Sequence, residues 1–509
     1  MNRFTTATWT AGTSLLLSLG LCAQQDYDAP APIHRQELSK VRSQSLAKNV
    51  IFFVGDGMGV STVTAARIFS QGVDGQLMID RFPFTALSKT YTSDYITPDS
   101  AGTMSAMITG QNTNSGVISL DEKTERNDFN GDGDGKRLQT LLELAQARGM
   151  KIGVVTTARV THATPAACYA HVNERNKENE IALQALPGDK TYNKALGKGL
   201  DLLIGGGRRF FVPSGVIDEE GDTGRRSDKR DLRSEFQKAG YKYVWNKRQF
   251  DKVKAADLPL LGLFDSSHME YEYDRILDVA GEPSLADMTA KAVALLEAAS
   301  KGKGYILVVE SGRIDHAHHA GNAFRAMVET ETFDRSVAAA VQRVSLEDTL
   351  ILVTADHSHV FNIAGYPMRP KADLSYQVKK APTEWIKGTH SGLFNLVYAL
   401  DSSTGNVVPM TDKKGIPYTI LAYANGGGYR ASSGSRVDPM KDTFKGYGGV
   451  TVRGPNDPDY LQEAAVPLSS ETHSGEDVAI YAIGPGAFLL NGTQKNTASY
   501  VLMKYALGL

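Results

Sequence analysis

The sequence predicts an α/β fold with a central, mostly parallel sheet covered by helices on both faces. Three observations predict it. Short apolar, β-branched runs recur along the chain and end in polar or glycine-rich turns, and stretches with apolar residues at helical spacing lie between most of them. The third is length: 509 residues suffice to bury such a sheet on both sides. The strand-like runs are 49–54, 151–157, 201–204, 305–309, 349–354 and 478–483, and the clearest helical stretches are 138–148 and 285–299. Sheets of this kind gather ligands at the carboxyl ends of their strands. Chemistry is therefore sought just after each run.

The first residues read as an export signal, with Arg3 as the positive charge and an apolar run over 11–21 ending near Cys22-Ala23. That run is shorter than the roughly 20 residues a membrane-spanning helix needs. Cleavage after Ala23 is expected, giving a periplasmic or secreted protein. Leu21 is too large to precede a lipidated cysteine, which argues against an anchor at Cys22. Residues 24–47 form an N-terminal arm and 48–509 the main body. With only Cys168 left after cleavage, no internal disulfide can form. Lys and Arg number 55 against 57 Asp and Glu, for a formal charge of -2, and no extended basic run occurs. Nucleic-acid binding by bulk charge is excluded.

Residues 366–466 break the strand-helix rhythm with Gly, Pro, Tyr and Lys, as in Gly426-Gly427-Gly428-Tyr429. They read as an insertion packed outside the main sheet. Asp128, Asn130, Asp132 and Asp134 around Gly133 imitate a calcium loop. The twelfth position is Gln139 rather than glutamate, so a solvated loop is the simpler reading.

After the first run comes Gly55-Asp56-Gly57-Met58-Gly59, a carboxylate at a strand tip between residues that let backbone approach closely. It suits a metal, although an Asp-Gly turn is the bland alternative. In Pro98-Asp99-Ser100-Ala101-Gly102-Thr103, a helix start would leave free amides to favour an anion beside Ser100. Alone, that pattern is an ordinary cap. After 151–157 lie His162, Thr164 and Arg175. Thr164 offers a hydroxyl to a hard cation, and Arg175 a planar fork for two phosphate oxygens, though a surface arginine is the commoner case.

The strongest local signal is Glu310-Ser311-Gly312-Arg313-Ile314-Asp315-His316-Ala317-His318-His319. Glu310 ends an apolar run, and Asp315 and His319, four apart, share one helix face. Carboxylate plus imidazole is a zinc donor set, and ionisable groups behind a buried strand are costly without a metal. Asp356-His357 after 349–354 repeats the logic, and His473 precedes the last run.

These segments, in this order and spacing from about Lys48 to the C-terminus, resemble the alkaline phosphatase family. The resemblance implies a catalytic domain over 48–509 and a hydrolase of phosphate monoesters acting through a phosphoserine on Ser100, with Arg175 neutralising the phosphate oxygens. It implies one zinc on Asp315, His319 and His473, a second on Asp56, Asp356 and His357, and a magnesium on Asp56, Thr164 and Glu310. His162 stands where some members carry aspartate and animal members histidine; it is expected near the magnesium, through water. His316 stands where others carry lysine or histidine, beside the phosphate pocket or facing solvent. The insertion resembles the crown of animal-type members, which implies a homodimer. A fourth, calcium-like site would draw on Phe264, Asp265 and Glu282.

Two neighbouring chemistries share this superfamily fold. Sulfatases carry a C/S-x-P-x-R pattern, which Ser100-Ala101-Gly102-Thr103-Met104 lacks. Phosphodiesterases often use threonine and lack a matching arginine. A non-catalytic metal-binding protein would not retain nucleophile, arginine and ligands together.

Overall fold

A computed structural model describes residues 45–127, 135–368, 392–429, 431–432, 435–436, 438–439, 443–452 and 454–509. The export signal, most of the arm and the calcium-loop look-alike at Asp128 to Asp134 lie outside the described residues.

Ten strands make the main sheet: β1 (Asn49–Gly55), β2 (Phe84–Ser88), β3 (Lys151–Arg159), β4 (Leu202–Gly206), β5 (Lys242–Val244), β6 (Leu260–Leu263), β7 (Tyr305–Ser311), β8 (Thr349–Ala355), β9 (Val478–Ile483) and β10 (Thr493–Gln494). Their spatial order is β10-β2-β9-β8-β1-β7-β3-β4-β6-β5. All pairings from β8 to β5 are parallel, and only β9 runs antiparallel, to β8 and to β2. The six expected runs all become strands, extended by up to two residues at their carboxyl ends. The short β2, β5, β6 and β10 carry no comparable sequence signal.

The central strands are apolar on both sides because both faces are covered. Val50, Phe52 and Val54 of β1 join one core layer, and Ile51 and Phe53 the other. The first layer is closed by α2 (Ser100–Thr109) and α3 (Leu141–Ala147) through Met104, Met107, Leu141 and Leu142. The second is closed by α5 (Leu285–Ser300) and α7 (Ala323–Val341), where Phe333 meets Phe53 edge-on with ring centroids 5.9 Å apart. Removing the Phe53 ring would cost about 3–5 kcal/mol. Capping boxes at Thr140/Glu143 and Ser284/Asp287 start α3 and α5.

The remaining labelled helices are α1 (Val60–Gln71), α4 (Ala163–Ala167), α6 (Arg313–His319) and α8 (Ala498–Leu507). The described part of 366–466 forms small sheets separate from the main one: a hairpin of 398–401 with 406–409, and 421–426 between 361–363 and 463–467. Phe394, Leu421 and Tyr423 join it to Phe69 of α1 and Phe324 of α7 in one apolar cluster.

Candidate active site

Three adjacent strands, β8, β1 and β7, end together, with Gly55 in register with both Ser311 and Ala355. Register alone therefore brings Asp56, Glu310 and Asp356 to one edge. The chain turns there through Gly57, at φ +70°, and a Cβ on it would lie 2.3 Å from His359 Nε2. No other residue satisfies both constraints. Helix α6 carries Asp315 and His319, α4 begins at His162 and contains Thr164, and His473 pairs with His359 in a short antiparallel bridge.

Two sets of donor atoms converge. Asp315 Oδ1 lies 3.2 Å from His319 Nε2 and 3.3 Å from His473 Nε2, and the two nitrogens are 3.0 Å apart. Nearby, His357 Nε2 lies 3.4 Å from both Asp56 Oδ1 and Asp356 Oδ2. Each histidine gives its other nitrogen to a backbone carbonyl: His319 Nδ1 to Glu471 at 2.6 Å, His473 Nδ1 to Pro98 at 2.8 Å and His357 Nδ1 to Ser358 at 3.3 Å. With Nδ1 as the donor, each Nε2 presents a lone pair inward. A third set joins Asp56 and Glu310 to His162, with Thr164 beside Glu310.

Among the described residues, Asp56 Oδ2, Asp356 Oδ2, Glu310 Oε1 and Thr164 Oγ1 are buried with no hydrogen bond of ordinary geometry. Such orphaned acceptors are rare in folded proteins, because each loses its water for nothing. Burial, with the fields of Asp356, Asp315 and Glu310, pushes the Asp56 carboxyl well above its usual range. Burial likewise raises Asp356, and lifts Glu310 to about 7. Asp315 goes the other way: burial opposes its charge, but His319, His359 and His473 outweigh it. Cations would relieve this crowding. Carboxylate and imidazole donors suit zinc, and the all-oxygen set of Asp56, Thr164 and Glu310 suits a harder ion.

Ser100 is the first residue of α2, and its Oγ lies 3.3 Å from His357 Nε2 and 3.5 Å from Asp56 Oδ1. Asp99 caps that helix through Gly102 N and holds Arg175 Nη1 at 2.8 Å. One carboxylate thus fixes both the helix start at Ser100 and Arg175. Arg175 Nη2 lies 3.2 Å from His162 Nε2. Since arginine can only donate, the neutral His162 ring carries its proton on Nδ1, which is buried and unpartnered. Burial and the charges of Arg175 and Arg159 hold His162 uncharged. Its free N–H suits a water or a phosphate oxygen better than direct contact with a cation.

His359 is a residue the sequence reasoning missed. It stands within ligand distance of Asp315, His319 and His473, yet its Nε2 is 2.9 Å from Asp315 Oδ1 and its Nδ1 2.6 Å from Glu471 Oε2. Both nitrogens donate to carboxylates. Burial disfavours the charge, but Glu471 and Asp315 prevail and raise it to about 10. Held between these two carboxylates, it fixes the orientation of Asp315. Thr156, bonded to Glu310, plays a similar part. His316 packs in an imidazole group with His162 and His268, at ring distances of 5.5 and 4.0 Å. His268 carried no signal in the sequence. Apart from the site, Glu282 has a buried, unpartnered Oε1 and is raised to about 9 by burial and by Asp265, itself raised to about 6.

A serine at a helix start, an arginine fork and converging acidic and imidazole groups, all at the carboxyl edge of a parallel sheet, define a hydrolase that acts on phosphate esters. The chain belongs to the alkaline phosphatase family, whose profile matches residues 47–509. It is 37% identical to the human alkaline phosphatase, tissue-nonspecific isozyme, over 92% of this chain and 85% of that one. It is 36% identical to the alkaline phosphatase of Gadus morhua, covering 91% and 92%. The structure resembles Thermus thermophilus alkaline phosphatase with a TM-score of 0.62 at 25% identity, covering 93% of this chain and 94% of that one. The protein is accordingly a hydrolase of phosphate monoesters.

Proposed function

We propose that hydrolysis proceeds through a phosphoserine on Ser100, at a site holding zinc on Asp315, His319 and His473, zinc on Asp56, Asp356 and His357, and magnesium on Asp56, Thr164 and Glu310. The observation that carries this reading is the set of buried, partnerless oxygens of Asp56, Asp356, Glu310 and Thr164 around one serine. Ions bound there lower the pKa of an attacking oxygen and stabilise a leaving one. The chain does the rest. Arg175, held by Asp99, takes two phosphate oxygens in its fork. Ser100 Oγ attacks phosphorus in line with the departing alcohol, the ester P–O bond breaks, and water then cleaves the serine ester from the vacated side. His162 Nδ1–H supports a phosphate oxygen or a water, and His316 lines the pocket next to it.

Glu282 and Asp265, with the Phe264 carbonyl, suit a calcium ion that would offset their mutual repulsion. The apolar run over 11–21 supports export to the periplasm or beyond, and among the described residues no helix is long and apolar enough to cross a membrane. The resemblance of the insertion to the crown of animal-type family members supports a homodimer; light scattering would measure its mass.

The test is phosphate release from a nitrophenyl monoester. Ser100→Ala is expected to lower it by on the order of a thousandfold or more. Chelation should abolish it, and zinc with magnesium restore it. Equal rates for Ser100→Ala and the unaltered protein would overturn the mechanism.

A further inference from the structure

The arginines around the site differ in one respect. Arg175 is paired with Asp99, Arg159 with Glu178, Arg126 with Glu174, and Arg325 with Asp274 and Asp459. Arg313 forms no ion pair among the described residues, and its Nε is buried without a partner. Its guanidinium lies face-on to Tyr271, 3.6 Å from the ring centroid, and Nη1 is 3.3 Å from His316 Nδ1. An aromatic face and an imidazole edge position a guanidinium but bring no negative charge to neutralise it. Glu329, whose ionised form Arg313 favours, turns its carboxylate to the Glu272 amide instead.

This charge stands close to the phosphate pocket. His316 links the two: one edge meets Arg313, and its ring is 5.5 Å from that of His162, whose Nε2 touches Arg175. Among the arginines named above, Arg313 alone brings to this flank a guanidinium with no carboxylate partner among the described residues.

We propose that Arg313 is a specificity-determining residue whose guanidinium receives a second anionic group, carboxylate or phosphate, carried by the leaving alcohol of the monoester. The inference deepens the reading of Ser100 and Arg175 given above and rests on it. A planar fork fits either anion with two parallel hydrogen bonds, and such bonds gain most where water is partly excluded.

Phosphoserine and phosphoethanolamine test it, because they differ only by a carboxylate. The protein is expected to favour phosphoserine in kcat/KM by about tenfold. Arg313→Met should erase that preference, and Arg313→Lys should keep part of it. Any disturbance of the neighbouring Asp315 would slow both substrates alike and cancel in the ratio. Should Arg313→Met fail to fold, inhibition of the unaltered protein by phosphonoacetate and by methylphosphonate makes the same comparison without turnover; the former should bind about tenfold tighter. Equal constants for these inhibitors, or an undiminished preference in Arg313→Met, overturn the proposal. Turnover of both substrates by Ser100→Ala would instead overturn the mechanism beneath it.

Discussion

Two buried clusters in this molecule combine carboxylate and imidazole, and they behave as opposites. At the edge of α3, Glu143 accepts hydrogen bonds from Thr140 N at 2.9 Å, His171 Nε2 at 2.9 Å and Asn193 Nδ2 at 2.6 Å. His171 also donates Nδ1–H to Ser119 O at 2.7 Å. Burial opposes the charge of Glu143, yet these donors hold its pKa below the usual carboxylate range. At the carboxyl edge of β1, β7 and β8, Asp56, Asp356 and Glu310 each keep an oxygen with no partner and are pushed upward. The same residue types thus build a closed strut in one place and an open site in the other. What separates them is whether the protein itself satisfies each polar atom.

The largest effect expected from breaking this contrast is at Asp56, which faces two donor sets at once. Asp56→Asn should lower phosphate release by about a hundredfold or more and reduce bound metal, measured by elemental analysis. A variant with full metal content and rate would remove the distinction between the clusters. Next comes His359, which aims Asp315 without reaching the inner face. His359→Gln is expected to cost about 10–100-fold in activity or metal affinity, and metal titration against rate separates the two. Glu143→Gln marks the other side of the comparison. It leaves the buried His171 without its carboxylate and should cost about 3 kcal/mol in denaturant unfolding while kcat per folded molecule stays the same. A fall in kcat there would mean that the strut belongs to the site.

Much of this was legible in the sequence because the edge of a parallel sheet collects whatever follows its strands. Asp56, Glu310, Asp356 and His357 follow apolar runs directly, and Asp315 and His319 share a helix face by spacing alone. The strands β2, β5 and β6 were not legible: β2 alternates in burial between the antiparallel β9 and the two-residue edge strand β10, and the others are four residues or fewer. The supports of the site were hidden for another reason. His359 meets Asp315 and Glu471 across 44 and 112 residues, and no local periodicity encodes such pairings. Asp99 was visible as a cap, but its hold on Arg175 spans 76 residues. His268 comes to His316 only through the packing of the loop after β6.

The smallest expected effect is a difference in how stability follows pH. Glu310 has an ordinary value of 4.5 and is pushed up to about 7 in the metal-free fold, chiefly by burial. Below 4.5 it is protonated folded or unfolded, and nothing is lost. As pH rises from 4.5 to about 7 the unfolded chain ionises while the folded one resists, so metal-free protein loses stability across that window. Asp56, also raised, acts with the same sign. Glu143 is depressed; its contribution is present above its ordinary value of 4.5 and is lost as pH falls. Metals bound there would reverse the first trend by making ionised carboxylates the favoured form. The gap in melting temperature between metal-loaded and chelated protein should therefore widen by a few degrees between about pH 5 and pH 7, and Glu310→Gln should widen it less. A gap that stays constant with pH would mean that these carboxyls are relieved by something other than a cation.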